Sequence, residues 1–143
     1  MTQHLYIQTI EKYYEACNRR DAALMISTFT DDVVHYFVDH MPVRSAAALA
    51  NYWCKVAPKT EATWKLDHAL VNEPEAVIEW SMRWKPSTES NHEFLRGTKW
   101  FIFVDNKIAE IVSYHRNFFL NDRRNCQLRA FDYAGRKYTY EDK

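Results

Sequence analysis

Residues 94–119, FLRGTKWFIFVDNKIAEIVSYHRNFF, constrain the fold more than any other part of the chain. Both halves are dense in aromatic and β-branched residues, which favour strands. Between them stands Asp105-Asn106, a pair that tolerates the positive φ of a tight hairpin turn. The stretch predicts two long strands. Residues 75–85, EAVIEWSMRWK, predict a third, with Ile78, Trp80, Met82 and Trp84 on one face and Glu79, Ser81 and Arg83 on the other. A curved antiparallel sheet this rich in Trp and Phe needs a cover, so helices must lie on it.

The chain before these strands supplies the cover. Tyr6, Ile10, Tyr13, Tyr14 and Cys17 recur at helical spacing and predict a helix over residues 4–18. Asn18-Arg19-Arg20 is a polar break, and Asp21 is a cap residue for a second helix, Ala22 to Phe29. Thr30-Asp31-Asp32 reads as a turn, residues 33–38 as a short strand and residues 39–44, DHMPVR, as a loop. Ser45 caps a third helix, Ala46 to Val56, whose Leu49, Trp53 and Val56 share a face and which Pro58 follows. Residues 62–72 predict a strand in which Trp64, Leu66, His68 and Leu70 alternate with Lys65, Asp67, Ala69 and Val71. Beyond residue 120 the chain is charged and irregular, with Phe131, Tyr133, Tyr138 and Tyr140 as anchors against the body or a partner chain.

Composition removes several function classes. A chain of 143 residues is expected to form one domain, here a core at about 5–119 with a tail at 120–143. The formal net charge is zero, which argues against a nucleic-acid surface or an electrostatic membrane anchor. No apolar run reaches the ~20 residues of a membrane span, and the N-terminus lacks a signal-peptide core. Cys17, Cys54 and Cys126 are widely spaced, so neither a disulfide framework nor a zinc site is expected, and reduced thiols point to the cytoplasm. With only Gly97 and Gly135 as glycines, no phosphate-cradling loop is possible. No cofactor and no metal are expected.

Residues 12–37, KYYEACNRRDAALMISTFTDDVVHYF, and 96–115, RGTKWFIFVDNKIAEIVSYH, carry a resemblance. The first resembles the opening of the nuclear transport factor 2-like superfamily, and the second its closing hairpin. Within that superfamily the chain is most similar to the SnoaL-like polyketide cyclases and the ketosteroid isomerases. The resemblance implies an α+β fold, a cone-shaped curved antiparallel sheet wrapped over three N-terminal helices (the cystatin-like architecture). It also implies a homodimer and a pocket for a small apolar, cyclic molecule. It does not fix the chemistry, since unrelated functions share such folds.

Carried over by position, Tyr13 matches the isomerase tyrosine that donates a hydrogen bond to a developing enolate. Phe37 stands where the isomerase has its general-base aspartate, and Lys99 where it has a protonated aspartate. Both acidic positions are thus absent. In the cyclases an acid/base aspartate lies near the end of the last strand, where this chain has Ser113, Tyr114, His115 and Arg116.

Two histidines are therefore candidates for acid/base work. His35 shares a strand face with Phe37. His115 faces inward only if a bulge adds one residue to the last strand; a plain two-residue turn would instead turn Glu110, Val112 and Tyr114 inward. The bulge is the preferred register, because it leaves Glu110 in solvent and Ile111 in the core. His35 and His115 would then form an acid/base pair across the cone, with Tyr13 as the oxyanion donor. Lys99, lowered by burial, would suit base or Schiff-base chemistry, but a snorkelling lysine paired with Glu93 or Glu110 is the favoured reading. Asp39 and His40 are expected at the pocket rim, and Phe37, Trp53, Trp80, Trp84 and Ser113 as contacts for a flat ligand. Together these describe a small cofactor-independent enzyme of isomerisation, cyclisation or dehydration. The alternative is a binding or dimerisation module of the same fold.

Overall fold

The computed structural model of the protein describes residues 3–87, 89–115 and 128–137. Arg116, Tyr138 and Tyr140 lie outside the described residues. Helix α1 (Leu5–Arg19) ends at Arg20, whose φ of 56° stops the helix at the polar break. Asp21 caps α2 (Ala22–Ser27), its carboxylate accepting from the Leu24 N–H at 3.0 Å. Helix α2 stops two residues short of the expected Phe29. The Thr28 carbonyl is taken by the Ile108 N–H at 2.8 Å, and β1 (Phe29–Tyr36) begins at once.

Part of the expected loop after β1 is a strand, β2 (Val43–Arg44), paired antiparallel to β1 through Val34↔Arg44 and His35↔Val43. Helix α3 (Ala46–Thr60) starts at Ser45, whose Oγ accepts from the Ala48 N–H at 3.2 Å. It runs through Pro58, where the sequence suggested an end. Pro58 forfeits one helical hydrogen bond, but the last turn is closed from outside it. Glu61, in the left-handed region, donates to the Ala57 and Pro58 carbonyls, and Lys85 N–H reaches the Thr60 carbonyl at 2.7 Å.

Strands β3 (Thr63–Asn72), β4 (Glu75–Trp84), β5 (Glu93–Val104) and β6 (Lys107–Tyr114) complete one sheet of order β2-β1-β6-β5-β4-β3. Every pairing is antiparallel except β1 with β6, which is parallel. A hairpin cannot make such a pair; here the long excursion through α3 and β3–β5 does. The expected alternation in β3 holds only to Leu66. Leu66 faces Trp80 and His68 faces Glu79, so Asp67 bulges. Beyond it Ala69 and Val71 take the inner side and Leu70 is 75% exposed.

The last hairpin carries the bulge that the sequence argued for. Asp105 and Asn106 have φ of 51° and 62°, giving a two-residue turn that pairs Phe103 with Ile108. Ile102 then faces Glu110, which leaves Ala109 as the extra residue. Ile111 and Ser113 consequently stand opposite Phe101 and Lys99, all four buried.

The helices cover this inner face, where Tyr13, Phe29, Leu49, Trp80 and Phe101 form the centre of the main core. A second, smaller cluster lies elsewhere: Tyr36, Val38 and Val112 are covered by Leu128 and Phe131 of the same chain. Helix α4 (Tyr133–Arg136) follows, and Arg136 clamps Glu110 with two bonds of 2.8 and 2.5 Å. Among the described residues no helix is long and apolar enough to cross a membrane.

Candidate functional site

The space between α3, the inner face of β3–β5 and the end of β6 is a cavity of ≈ 90 Å³. Its walls are aromatic: Phe37, Tyr52, Trp53, Trp64, Trp80 and Trp84, with Met82. Polar groups enter from the loop after β1 (Asp39, His40), from β5 (Lys99) and from the end of β6 (Ser113, His115). This is the mix of apolar wall and few convergent polar groups that defines a ligand site.

Strand β1 and the bulged β6 bring the histidines in, but not as a pair. His35 is fully buried and its Nε2 lies 2.6 Å from the Ser113 Oγ. Its ring stacks on Phe37, with centroids 3.9 Å apart. His35 is thus behind the wall and does not line the cavity. Burial, and then the nearby Lys99, push its pKa well below the ordinary histidine value, so the ring is neutral. The expected His35–His115 pair across the cone is absent because hydrogen bonding to Ser113 and stacking on Phe37 hold His35 in the core.

His115 does line the cavity. Its Nε2 is 3.5 Å from the Asp39 carboxylate, and its ring meets Trp80 edge-on at 5.1 Å. Burial lowers its pKa to about 4, against the opposing pull of Asp39. His115 is therefore neutral at pH 7, with a carboxylate at one nitrogen. Asp39 faces His115, not its sequence neighbour His40. His40 is turned to Tyr52: its Nδ1 meets the Met41 carbonyl at 2.8 Å and its Nε2 the Tyr52 hydroxyl at 2.8 Å. A carbonyl only accepts, so Nδ1 carries the proton and Nε2 accepts from Tyr52. Burial, and after it Asp39, raise the Tyr52 hydroxyl to about 12. Tyr52 and Trp64 are site residues that sequence reasoning missed. Tyr52 follows Leu49 by one helical turn and precedes Trp53, which was the available signal.

Lys99 overturns its expected role. It is 2% exposed, and among the described residues it forms no ion pair with Glu93 or Glu110; the latter is held by Arg136. The side chain starts on the inner face of β5, opposite Ser113, and ends among aromatic rings at the cavity wall. Four rings surround its Nζ: Tyr14 at 4.9 Å, Trp80 at 5.1 Å, Tyr13 at 5.4 Å and Trp53 at 5.5 Å. Burial brings its pKa down to about 8. Tyr13 does not line the cavity; it is fully buried on α1, packs around Lys99, and burial raises its pKa well above the ordinary tyrosine value.

Among the described residues no group of histidine, cysteine and acidic side chains is placed to hold a metal ion. The exposed or half-buried His4, His68 and His92 each sit beside a glutamate, at 2.7, 3.7 and 3.3 Å.

An unclosed curved sheet over N-terminal helices, with an aromatic cavity at its centre, defines a small-molecule-binding, cyclase-like class of fold. The chain belongs to the SnoaL-like domain family, which it matches over residues 10–111. No curated protein matches it. Among solved structures, it is similar to a protein of unknown function with a cystatin-like fold from Methylobium petroleophilum PM1. The two are 28% identical with a TM-score of 0.82, over 99% of this chain and 95% of that one. TerC, co-crystallised with polyporic acid, is 12% identical with a TM-score of 0.69, over 79% of this chain and 92% of that one. A candidate polyketide cyclase from Pseudomonas putida KT2440 is 17% identical with a TM-score of 0.65, over 80% and 93% of the respective chains. The last two likenesses concern the fold alone.

Proposed function

We propose that the protein is a cofactor-independent enzyme of proton transfer, acting on a flat, apolar, cyclic molecule held in the cone. The observation that carries this reading is His115, neutral and 3.5 Å from the Asp39 carboxylate, on the wall of an aromatic cavity. A neutral imidazole takes a proton from a carbon next to a carbonyl, and a carboxylate at its other side stabilises the imidazolium that forms. Returning that proton to a different atom gives isomerisation or ring closure; giving it to a leaving hydroxyl gives dehydration. His35 and Tyr13 act from behind the wall as positioning residues, His35 through Ser113 and Tyr13 through Lys99. Phe37, Trp53, Trp80 and Trp84 supply the flat contact surface.

The test is a turnover screen with cyclic enones and phenolic polyketide-like compounds, followed by His115→Ala and Asp39→Asn. The reading expects kcat to fall about 100-fold or more in His115→Ala while ligand binding persists. Turnover unchanged in both variants would sink it.

A second reading, a binding module without chemistry, is favoured by one observation: Phe37 and Lys99 occupy the positions where the isomerases it resembles have acids. It expects tight ligand binding and no turnover. In either case a cytoplasmic homodimer is our reading. The exposed Leu70, Phe94 and Trp100 on β3 and β5 support a second copy packing there, and sedimentation of Trp100→Glu against the wild type tests it.

A further inference from the structure

Lys99 is a buried amine with no carboxylate beside it among the described residues. Rings, a thiol, a hydroxyl and imidazoles surround it. Helix α1 presents Tyr13, Tyr14 and Cys17; α3 presents Trp53; β4 presents Trp80; β1 and β6 contribute His35, Ser113 and His115. Asp39, the one acid among the described residues that line the cavity, is engaged with His115. Ring faces stabilise an ammonium, yet they do not neutralise it. An uncompensated charge in a dry site is costly, and proteins place one there when it has a partner to meet.

That partner has one open direction of approach. Lys99 lines the cavity, while the other sides of its ammonium are closed by the four rings. His115 keeps 16% of its side chain exposed while Lys99 is 2% exposed, so of the two the ammonium is the deeper group on the wall. We propose that Lys99 is an anion receptor and that the natural ligand carries an ionised oxygen, a carboxylate or an acidic enol, at the end of a flat apolar body. The ionised oxygen pairs with Nζ, and the ring system lies between Trp53, Trp80 and Trp84. This orientation leaves the far end of the ligand beside His115. The inference rests on the cavity being a ligand site, and not on turnover there.

Matched acids and amides test it by equilibrium binding to the full chain. Benzoate against benzamide, and 2-naphthoate against 2-naphthamide, are titrated into the protein, reading the indole N–H signals of the tryptophans by NMR. At about pH 6.5, where Lys99 is an ammonium, the acid of each pair should bind at least tenfold more tightly. At about pH 9.5 that preference should shrink as the ammonium loses its proton. In Lys99→Met the preference should vanish at both pH values, with the indole spectrum reporting a folded chain. Should that variant not fold, the pH comparison on the wild type decides alone. Equal binding of acid and amide to the wild type overturns the proposal, as does an acid preference that survives in Lys99→Met or binding of neither compound. Because no step of the test is catalytic, the failure of the proton-transfer reading would leave its result intact.

Discussion

Gly97 lies directly beneath the indole of Trp80, its register partner on β4: a Cβ there would stand 2.7 Å from the Trp80 Cζ2 and 2.9 Å from Cε2. His115 Cβ would be 3.0 Å away on the other side. The position therefore needs glycine for space, and its backbone conformation is ordinary. Trp80 is 1% exposed, and an indole pushed off Gly97 would move into the cavity that it lines. Gly97→Ala should cost about 1–3 kcal/mol of stability, read as a fall in the urea midpoint. It should also weaken ligand binding, because Trp80 and His115 both line the cavity. An unchanged midpoint would mean that the indole moves freely.

Lys99 gives a prediction of opposite sign. Its folded pKa, about 8, lies below the ordinary value of 10.5. Below pH 8 both folded and unfolded chains hold the proton, and the folded state bears the full cost of a buried charge. As pH climbs from 8 to 10.5 the folded chain has already released the proton and the cost is relieved. A shift of this size corresponds to roughly 3 kcal/mol. Lys99→Met should therefore melt higher than the wild type at pH 7, with the gap closing toward pH 10. A variant less stable at pH 7 would show that the aromatic cage more than offsets the burial.

Two inward-facing histidines make the fold acid-sensitive. His35 and His115 both have folded pKa values below 6.5. Above pH 6.5 both states are neutral and stability is full. As pH falls, the unfolded chain takes up protons that the folded chain refuses, so stability is lost progressively toward pH 4, where folded His115 protonates. Denaturation midpoints measured between pH 7 and 4.5 should fall, and less so in His115→Gln. Ring protons of His35 and His115 that titrate between pH 6 and 7 in the folded protein would contradict the arrangement.

Ser113 connects the cavity wall to the core. Its hydroxyl is the one hydrogen-bond partner of His35 among the described residues, since the Nδ1 of that ring has none. Ser113→Ala leaves the buried imidazole unsatisfied and should cost about 1–3 kcal/mol. Ser113→Thr keeps a hydroxyl and should recover part of that loss if the added methyl is tolerated. Equal stability of Ser113→Ala and the wild type would mean that His35 finds another partner.

The inner face of the fold was legible because aromatic and β-branched residues announce strands, and Asp105-Asn106 announces a turn. The burial of Ile111 and Ser113 followed from asking which register keeps Glu110 out of the core. Other features depend on contacts that no local pattern carries. The parallel pairing of β1 with β6 joins segments far apart in the chain, and the bulge at Asp67 appears only when β3 is laid against β4. Pro58 looks like a stop until Lys85 is seen bonding the turn beyond it. Lys99 was misjudged because a lysine on a strand ordinarily reaches solvent, and only the assembled cage of Tyr13, Tyr14, Trp53 and Trp80 shows that it does not. His115 and Asp39 were both suspected, but a loop residue and a strand end meet only in three dimensions.

Ala109 settles more than a register. One residue, inserted opposite nothing, fixes the parity of everything after it on β6. With the bulge in place, a hydroxyl and an imidazole line the cavity. Were the bulge closed and Ala109 paired with Ile102, the same chain would present Glu110, Val112 and Tyr114 to the cavity and turn Ser113 and His115 to solvent. An acidic chamber and a basic one are thus one shift of register apart, with no residue exchanged, added or removed. In a scaffold built this way, changes of chemistry can arise by miscounting at a turn as readily as by substitution at a wall.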